Sequence, residues 1–251
     1  MTTLPRSRLD DVLVERGLAG TRSRAQALIA AGLVEVDGVR AISAALQVTP
    51  GAGLRLTDRT HQWVGRGALK LDSALDRFAV DCAGRVCLDA GASTGGFTDV
   101  LLHRGAEHVY AVDVGRGQLH PKLAADPRVR VLDRTNVRTL AALDGPAPSL
   151  VTLDLSFISL RAVLPNVTRL APGAELVALF KPQFEVGRDA VARGGVVRDV
   201  TATIEAIGSF LAWAKDEAGA TIIHDAVPAD VRGAKGNQEW LVHLSLREEN
   251  P

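Results

Sequence analysis

Past position 67 the chain repeats two hydrophobic periods. Short apolar runs read as strands: RVCLDAG, HVYAVDVG, RVRVLDRTN, SLVTLDLS and AELVALFKP. Between them, apolar residues recur at helical spacing in ALKLDSALDRF (Leu69, Leu71, Leu75 and Phe78 near one face), FTDVLLHRG, LRAVLPNVTRL and TIEAIGSFLAWAKDEAG. TIIHDAVPA and EWLVHLSL read as closing strands, and the stretch 181–199 as a loop. This alternation predicts an α/β domain whose mainly parallel sheet is covered by helices on both faces. Ligands of such sheets bind beyond the carboxyl ends of the strands. Asp89, Asp113, Asp133, Asp154 and Lys181 all fall there by this reading.

The first segment follows a different pattern. RLDDVLVERG is helical in period through Leu9, Val12 and Leu13 and stops at Gly17. Thr21 caps a second helix, RSRAQALIAAG, which ends at Gly32. LVEVDGVRAI forms a hairpin about Asp37-Gly38, and ALQVTPGAGLRL adds a turn and a strand. Over positions 8–56 the stretch beginning RLDDVLVERGLAGTRSRAQALIAAGLVEVDG resembles the S4 RNA-binding fold, a small α+β domain. The expected division is therefore an S4 domain at 1–60, a linker at 61–67 and the sheet domain at 68–251. Arg8, Arg22 and Arg24 are the candidate RNA contacts of the first domain; Arg22 and Arg24 open a helix, where side chains reach phosphates. The alternative is that they are ordinary solvated charges.

Composition narrows the class. The longest apolar runs, such as LVALF, fall far short of the roughly 20 residues a membrane span needs. The N-terminal MTTLPRSRLDD has no apolar signal core, so a cytoplasmic location is expected. Cys82 and Cys87 alone cannot build a disulfide scaffold or a zinc site, and the six histidines show no metal spacing. Net charge is zero, yet residues 1–70 hold ten Lys/Arg against six Asp/Glu. A basic front end is a weak sign of a nucleic-acid partner.

The chemistry gathers in a few motifs. DAGASTGGFT is a glycine-rich turn after a strand, spaced G-x-x-x-G-G rather than G-x-G-x-x-G. Asp113 ends the next strand about 20 residues on, the distance at which an acid binds ribose hydroxyls. Together they favour S-adenosylmethionine over NAD. Asp89, Gly91, Ser93, Gly95, Gly96, Phe97, Asp113, Asp133, Asn136 and Asp154 are the candidate cofactor residues. Asp133 and Asn136 either shape an adenine wall or form a plain Asx turn. Phe157 in DLSFIS is either a base-stacking platform or a loop residue folded back on the core. Arg66, Arg134, Arg188 and Arg193 suit RNA contact, or are plain surface residues.

WVGRGALKL, CLDAGASTGGFTDVLL, DVGRGQL, DRTN, DLSFISL and KPQFEVG resemble the TlyA family nearly end to end. That family joins an S4 domain to an FtsJ-like methyltransferase domain and methylates cytidine 2′-hydroxyls of ribosomal RNA with S-adenosylmethionine. The resemblance implies a catalytic tetrad of Lys70, Asp154, Lys181 and Glu239. Lys181 would take or polarise the hydroxyl proton, the two acids would position and tune the lysines, and Lys70 would add positive field. It also implies ribosomal RNA as partner, with no membrane and no stable protein partner. Two features depart from the pattern. The linker reads HQWV, and the chain ends at LREENP, where members acting on both ribosomal subunits often carry a further helix. The large subunit is therefore the expected substrate, with the small subunit a possible second. A membrane-active haemolysin and a non-catalytic RNA-binding module are the alternatives; an apolar span or basic amphipathic helix would mark the first, a broken tetrad the second.

Overall fold

The structure, a computed structural model, describes residues 6–30, 32–56, 63–187, 190–233 and 236–248, and only the backbone of Ala27. The chain forms two units, Met1–Trp63 and Val64–Pro251.

The first unit runs β1 (Ser7–Arg8), α1 (Leu9–Glu15), α2 (Arg22–Ala30), β2 (Val34–Val36), β3 (Val39–Arg40), β4 (Gln47–Val48) and β5 (Leu54–Leu56). Asp37 and Gly38 both take positive φ, as the Asp-Gly hairpin between β2 and β3 requires. Thr21 Oγ1 accepts the Arg24 N–H and so caps α2. Leu9, Leu13, Ala25, Ile29 and Val34 are buried in a core of this unit's own.

The second unit continues with α3 (Ala68–Arg77), β6 (Val86–Ala90), α4 (Gly96–His103), β7 (His108–Val112), α5 (Pro121–Ala124), β8 (Val129–Leu132), β9 (Leu150–Leu153) and α6 (Leu160–Leu170). Then come β10 (Glu175–Phe180), α7 (Pro182–Glu185), α8 (Val200–Asp216), β11 (Thr221–Pro228) and β12 (Trp240–Ser245). Among the described residues these strands make one sheet in the order β11-β12-β10-β9-β6-β7-β8. β8, β7, β6, β9 and β10 pair in parallel; β12 is antiparallel to both β10 and β11. The alternation of runs and periods thus gave the right class. The short α5 and α7 carry too few residues to show a period; α7 lies inside the stretch read as a loop.

Alternation along the strands divides the core. Leu88, Ala90, Val151, Leu153, Ala178, Phe180, Val242 and Leu244 pack with α6 and α8. The other face meets α4 through Thr98, which bonds Asp89, and the end of α3 through Phe78, the residue after it, whose ring stacks on His243. Chain order reverses at β6, flanked by β7 and β9, so a crevice opens at its carboxyl end.

Candidate active site

The crevice begins with the turn from β6 into α4. Gly91, Ser93 and Gly95 all take positive φ (87°, 47° and 98°). A Cβ on Gly95 would strike Leu119 and Leu123, and one on Gly96 would lie 3.0 Å from the Ala68 backbone nitrogen. Asp113 ties this turn to the one after β7: its Oδ2 accepts Ser93 N–H at 2.9 Å and its Oδ1 accepts Gly115 N–H at 2.7 Å. A cavity of about 510 Å³ opens beside it, lined by Gly91, Ser93, Asp113, Gln118, Thr135 and Asn136 and by the apolar Val112, Val137, Leu155 and Ile158.

Several expected cofactor residues serve this cavity from behind. Asp89 is not at the strand end but one residue short of it, so the pleat turns it inward. It is fully buried, accepts from Thr98 Oγ1 (2.6 Å) and Thr152 Oγ1 (3.4 Å), and does not line the cavity. Burial pushes its carboxyl up to about 7; the nearby charge of Asp154 adds to this, and the Thr98 and Thr152 bonds oppose it. Phe97 is buried, and Gly95 and Gly96 are packed over; none of the three lines the cavity. Asp133 accepts Gly117 N–H at 2.7 Å and also lies outside the lining, whereas Asn136 lines it and accepts Arg138 N–H at 3.0 Å as an Asx turn does.

A second cavity, also about 510 Å³, shares Gly91, Ser93, Asp154, Ser156 and Phe157 with the first. All four tetrad candidates line it. Lys181, directly after β10, holds Asp154, directly after β9, at 2.6 Å from Nζ to Oδ1 and donates to Ser156 Oγ at 3.2 Å. Lys70 on α3 donates to Glu239 Oε2 at 2.5 Å. Both lysines and Glu239 are buried; Asp154 keeps 21% of its side-chain surface. Two cations and two anions therefore neutralise one another around one opening. Gly233 leaves room for the Glu239 carboxylate, which a Cβ there would overlap.

Sequence reasoning missed Gln183, Phe184 and Asn237, which also line this cavity. Asn237 is buried; its Nδ2 donates to Gly195 O at 2.8 Å and its Oδ1 accepts Val197 N–H at 3.0 Å. It thus fastens the glycine-rich loop before α8 to the segment entering β12. A lone Asn in a loop gives no signal of this, because its partners are some 40 residues away.

Phe157 is 91% exposed with φ +65°, so it is not folded back on the core. Its ring lies 5.2 Å from that of Phe184. Glu185 on α7 holds the same loop, accepting from Ser159 Oγ and Leu160 N–H, each at 2.7 Å; burial raises its carboxyl pKa. Arg66 and Arg134 are exposed, the latter at positive φ. Arg188 lies outside the described residues.

In the first unit two of the three candidate arginines have structural work. Asp10 is fully buried and accepts from Arg8 Nε and Nη2 and Arg22 Nε (each 3.0 Å) and from Gln26 Nε2 (2.8 Å). The Arg8 hydrogen bonds lead in holding its carboxyl well below the usual range. Arg8 and Arg22 are thus not simply free charges on a surface. Arg24 is exposed, and among the described residues its guanidinium has no hydrogen-bond or ion-pair partner.

The FtsJ-like methyltransferase family model matches residues 63–246, and the S4 domain model residues 7–54. The chain is 48% identical to the 16S/23S rRNA (cytidine-2′-O)-methyltransferase TlyA of Mycobacterium tuberculosis, over 97% of this chain and 91% of that one. It is 36% identical to Hemolysin A of Brachyspira hyodysenteriae, over 95% of this chain and 100% of that one. A solved structure from Streptococcus thermophilus that carries a hemolysin name aligns with a TM-score of 0.72 at 37% identity, covering 98% of this chain and 90% of that one. Among the described residues no helix is long and apolar enough to cross a membrane.

Proposed function

Because the chain belongs to the FtsJ-like methyltransferase family, and within it to the TlyA group with its leading S4 domain, we propose that it methylates the 2′-hydroxyl of a cytidine in ribosomal RNA, using S-adenosylmethionine. The observation that carries this reading is the meeting of the Lys181–Asp154 and Lys70–Glu239 pairs around one cavity that shares a wall with the glycine-turn cavity.

The first cavity suits the cofactor. Gly91 brings the backbone close, the partly exposed Asp113 carboxylate keeps lone pairs for ribose hydroxyls, and Val112, Val137 and Ile158 offer an apolar bed for a purine. Ser93 and Asn136 complete the polar rim. When bound there, S-adenosylmethionine supplies an electrophilic methyl group.

The chain's own residues handle the hydroxyl. A ribose 2′-hydroxyl is a poor nucleophile until its proton is removed or drawn away. Lys181 stands at the shared wall: as the neutral amine it takes that proton and becomes the ammonium, and as the ammonium it steadies the developing oxyanion. Asp154 fixes the Lys181 ammonium, and the Lys70–Glu239 pair adds a second cation beside the developing oxyanion. Walls on both sides align the reacting atoms and limit water. Phe157, exposed at the mouth, offers a face for a splayed-out base. Arg24, Arg66, Arg134 and Arg188 contribute phosphate contact. Large-subunit RNA is the proposed substrate and small-subunit RNA a second, in line with the 16S/23S name of the Mycobacterium tuberculosis relative.

The test is direct. Purified protein is incubated with isolated large and small ribosomal subunits and S-adenosylmethionine, and the RNA is digested to nucleosides. The reading expects 2′-O-methylcytidine from the large subunit. Methyl groups found on a base, or no transfer to either subunit, would reject it.

A further inference from the structure

We infer that Ser156 is a positioning residue that aims the Lys181 amine at the substrate hydroxyl; the inference rests on the methyl-transfer reading above. Lys181 Nζ has three positions besides its bond to Cε. Ser156 Oγ accepts one N–H at 3.2 Å, while Asp154 Oδ1 lies 2.6 Å from Nζ as an ion pair outside hydrogen-bond geometry. Both partners come from the same three-residue stretch after β9, and both line the cavity that Lys181 lines.

With the Asp154 charge alone, which attracts an N–H without fixing its direction, more than one arrangement of the other positions remains open. In the neutral amine, the second N–H and the lone pair could exchange places. In the ammonium, two protons would compete for the incoming oxygen. Ser156 removes that freedom by accepting one N–H. The remaining position, a lone pair or a single proton according to charge, is then left for the hydroxyl. Lys70 has a different arrangement: among the described residues its Nζ meets one carboxylate, Glu239. The two lysines thus differ: Lys181 directs its hydrogen bond to a neutral hydroxyl beside an ion-paired carboxylate, and Lys70 directs its own to a carboxylate.

The local backbone is built for this placement. Phe157 follows at φ +65°, a left-handed conformation that an aromatic residue rarely adopts. That turn lets residue 156 reach Lys181 while residue 157 stands in solvent. The loop does not depend on Ser156 for its position. Glu185 bonds Ser159 and Leu160 and so ties the loop to the segment that follows Lys181. Removing the Ser156 hydroxyl should therefore leave the fold standing and disturb the orientation alone.

The experiment measures single-turnover methylation of isolated large subunits by the full chain, with calorimetric S-adenosylmethionine affinity and subunit KM alongside. Ser156→Ala is expected to lower the rate at saturation about tenfold, the scale of one hydrogen bond to a charged group. KM and cofactor affinity should stay within about twofold. Ser156→Thr, which keeps the hydroxyl, should recover most of the rate. A Ser156→Ala rate equal to the parent overturns the inference, as does a loss confined to KM or cofactor affinity. Ser156→Thr as slow as Ser156→Ala also overturns it, because the hydroxyl would not be the determinant. Failure of the parent itself to methylate either subunit would instead reject the functional reading.

Discussion

Gly91 lies so close to Asp154 that a Cβ at position 91 would come within 2.5 Å of the Asp154 carbonyl oxygen. The first residue of the glycine turn and the first residue after β9 are thus in backbone contact where the two cavities share their wall. The glycine is required by the chain as well as by any ligand.

Gly91→Val should therefore do more than fill cofactor space. It forces a branched residue into φ +87° and drives Cβ against the Asp154 backbone carbonyl. Calorimetry should show S-adenosylmethionine binding lost, and thermal unfolding should show a lower midpoint for the second unit. A variant that loses binding with an unchanged midpoint would mean that the turn yields without disturbing Asp154.

Lys70 and Glu239 form a buried pair whose members are 169 residues apart in the sequence. Lys70→Ala or Glu239→Ala each strands a charge, at a cost of about 3–5 kcal/mol. The double variant should cost clearly less than the two single losses added together. Urea unfolding of the four proteins measures the coupling. Additive losses would show that the pair is not held in solution.

Catalysis and RNA anchorage should separate. Lys181→Ala should abolish methyl transfer and leave ribosome affinity nearly unchanged, since one lysine is a small part of the phosphate contact. Arg24→Ala should weaken binding and lower the salt slope by about one unit. Arg22→Ala differs from both: it removes a partner of the buried Asp10 and should also lower the stability of the first unit. Binding isotherms across a salt series, with thermal melts of each variant, distinguish the three.

Asp89 should leave a mark on stability against pH. Its carboxyl ionises near 4 in the unfolded chain and near 7 when folded, because burial disfavours the charge. Between those values the folded state holds the extra proton, so this group's contribution is full below about 4 and is lost as pH rises through about 7. Asp89→Asn should remove that fall. His243, whose pKa burial lowers, acts in the opposite sense as pH rises through its unfolded value. The measurement is therefore the parent-minus-variant difference in urea midpoint at pH 5 and pH 8. A difference that does not change with pH would contradict the assignment.

The amino-acid sequence by itself determined the two-part organisation, the α/β class and the strand-end positions of Asp113, Asp154 and Lys181. Each of these depends on local periodicity or on a turn residue such as Gly38 or Gly95, which the chain carries within a few positions. It also placed Asp89 at a strand end, where the pleat in fact turns it inward against Thr98 and Thr152. Only the tertiary structure decided which lysine pairs with which acid. Lys181 meets Asp154 because β10 lies beside β9, and Lys70 meets Glu239 because β12 turns back antiparallel on β10. The same holds for the Asp10 network, the Asn237 clasp and the Ser156–Lys181 bond. Apart from the short-range Arg8–Asp10 bonds, these contacts join residues 12 or more positions apart, and their partners are set by strand order and packing, which no local pattern encodes.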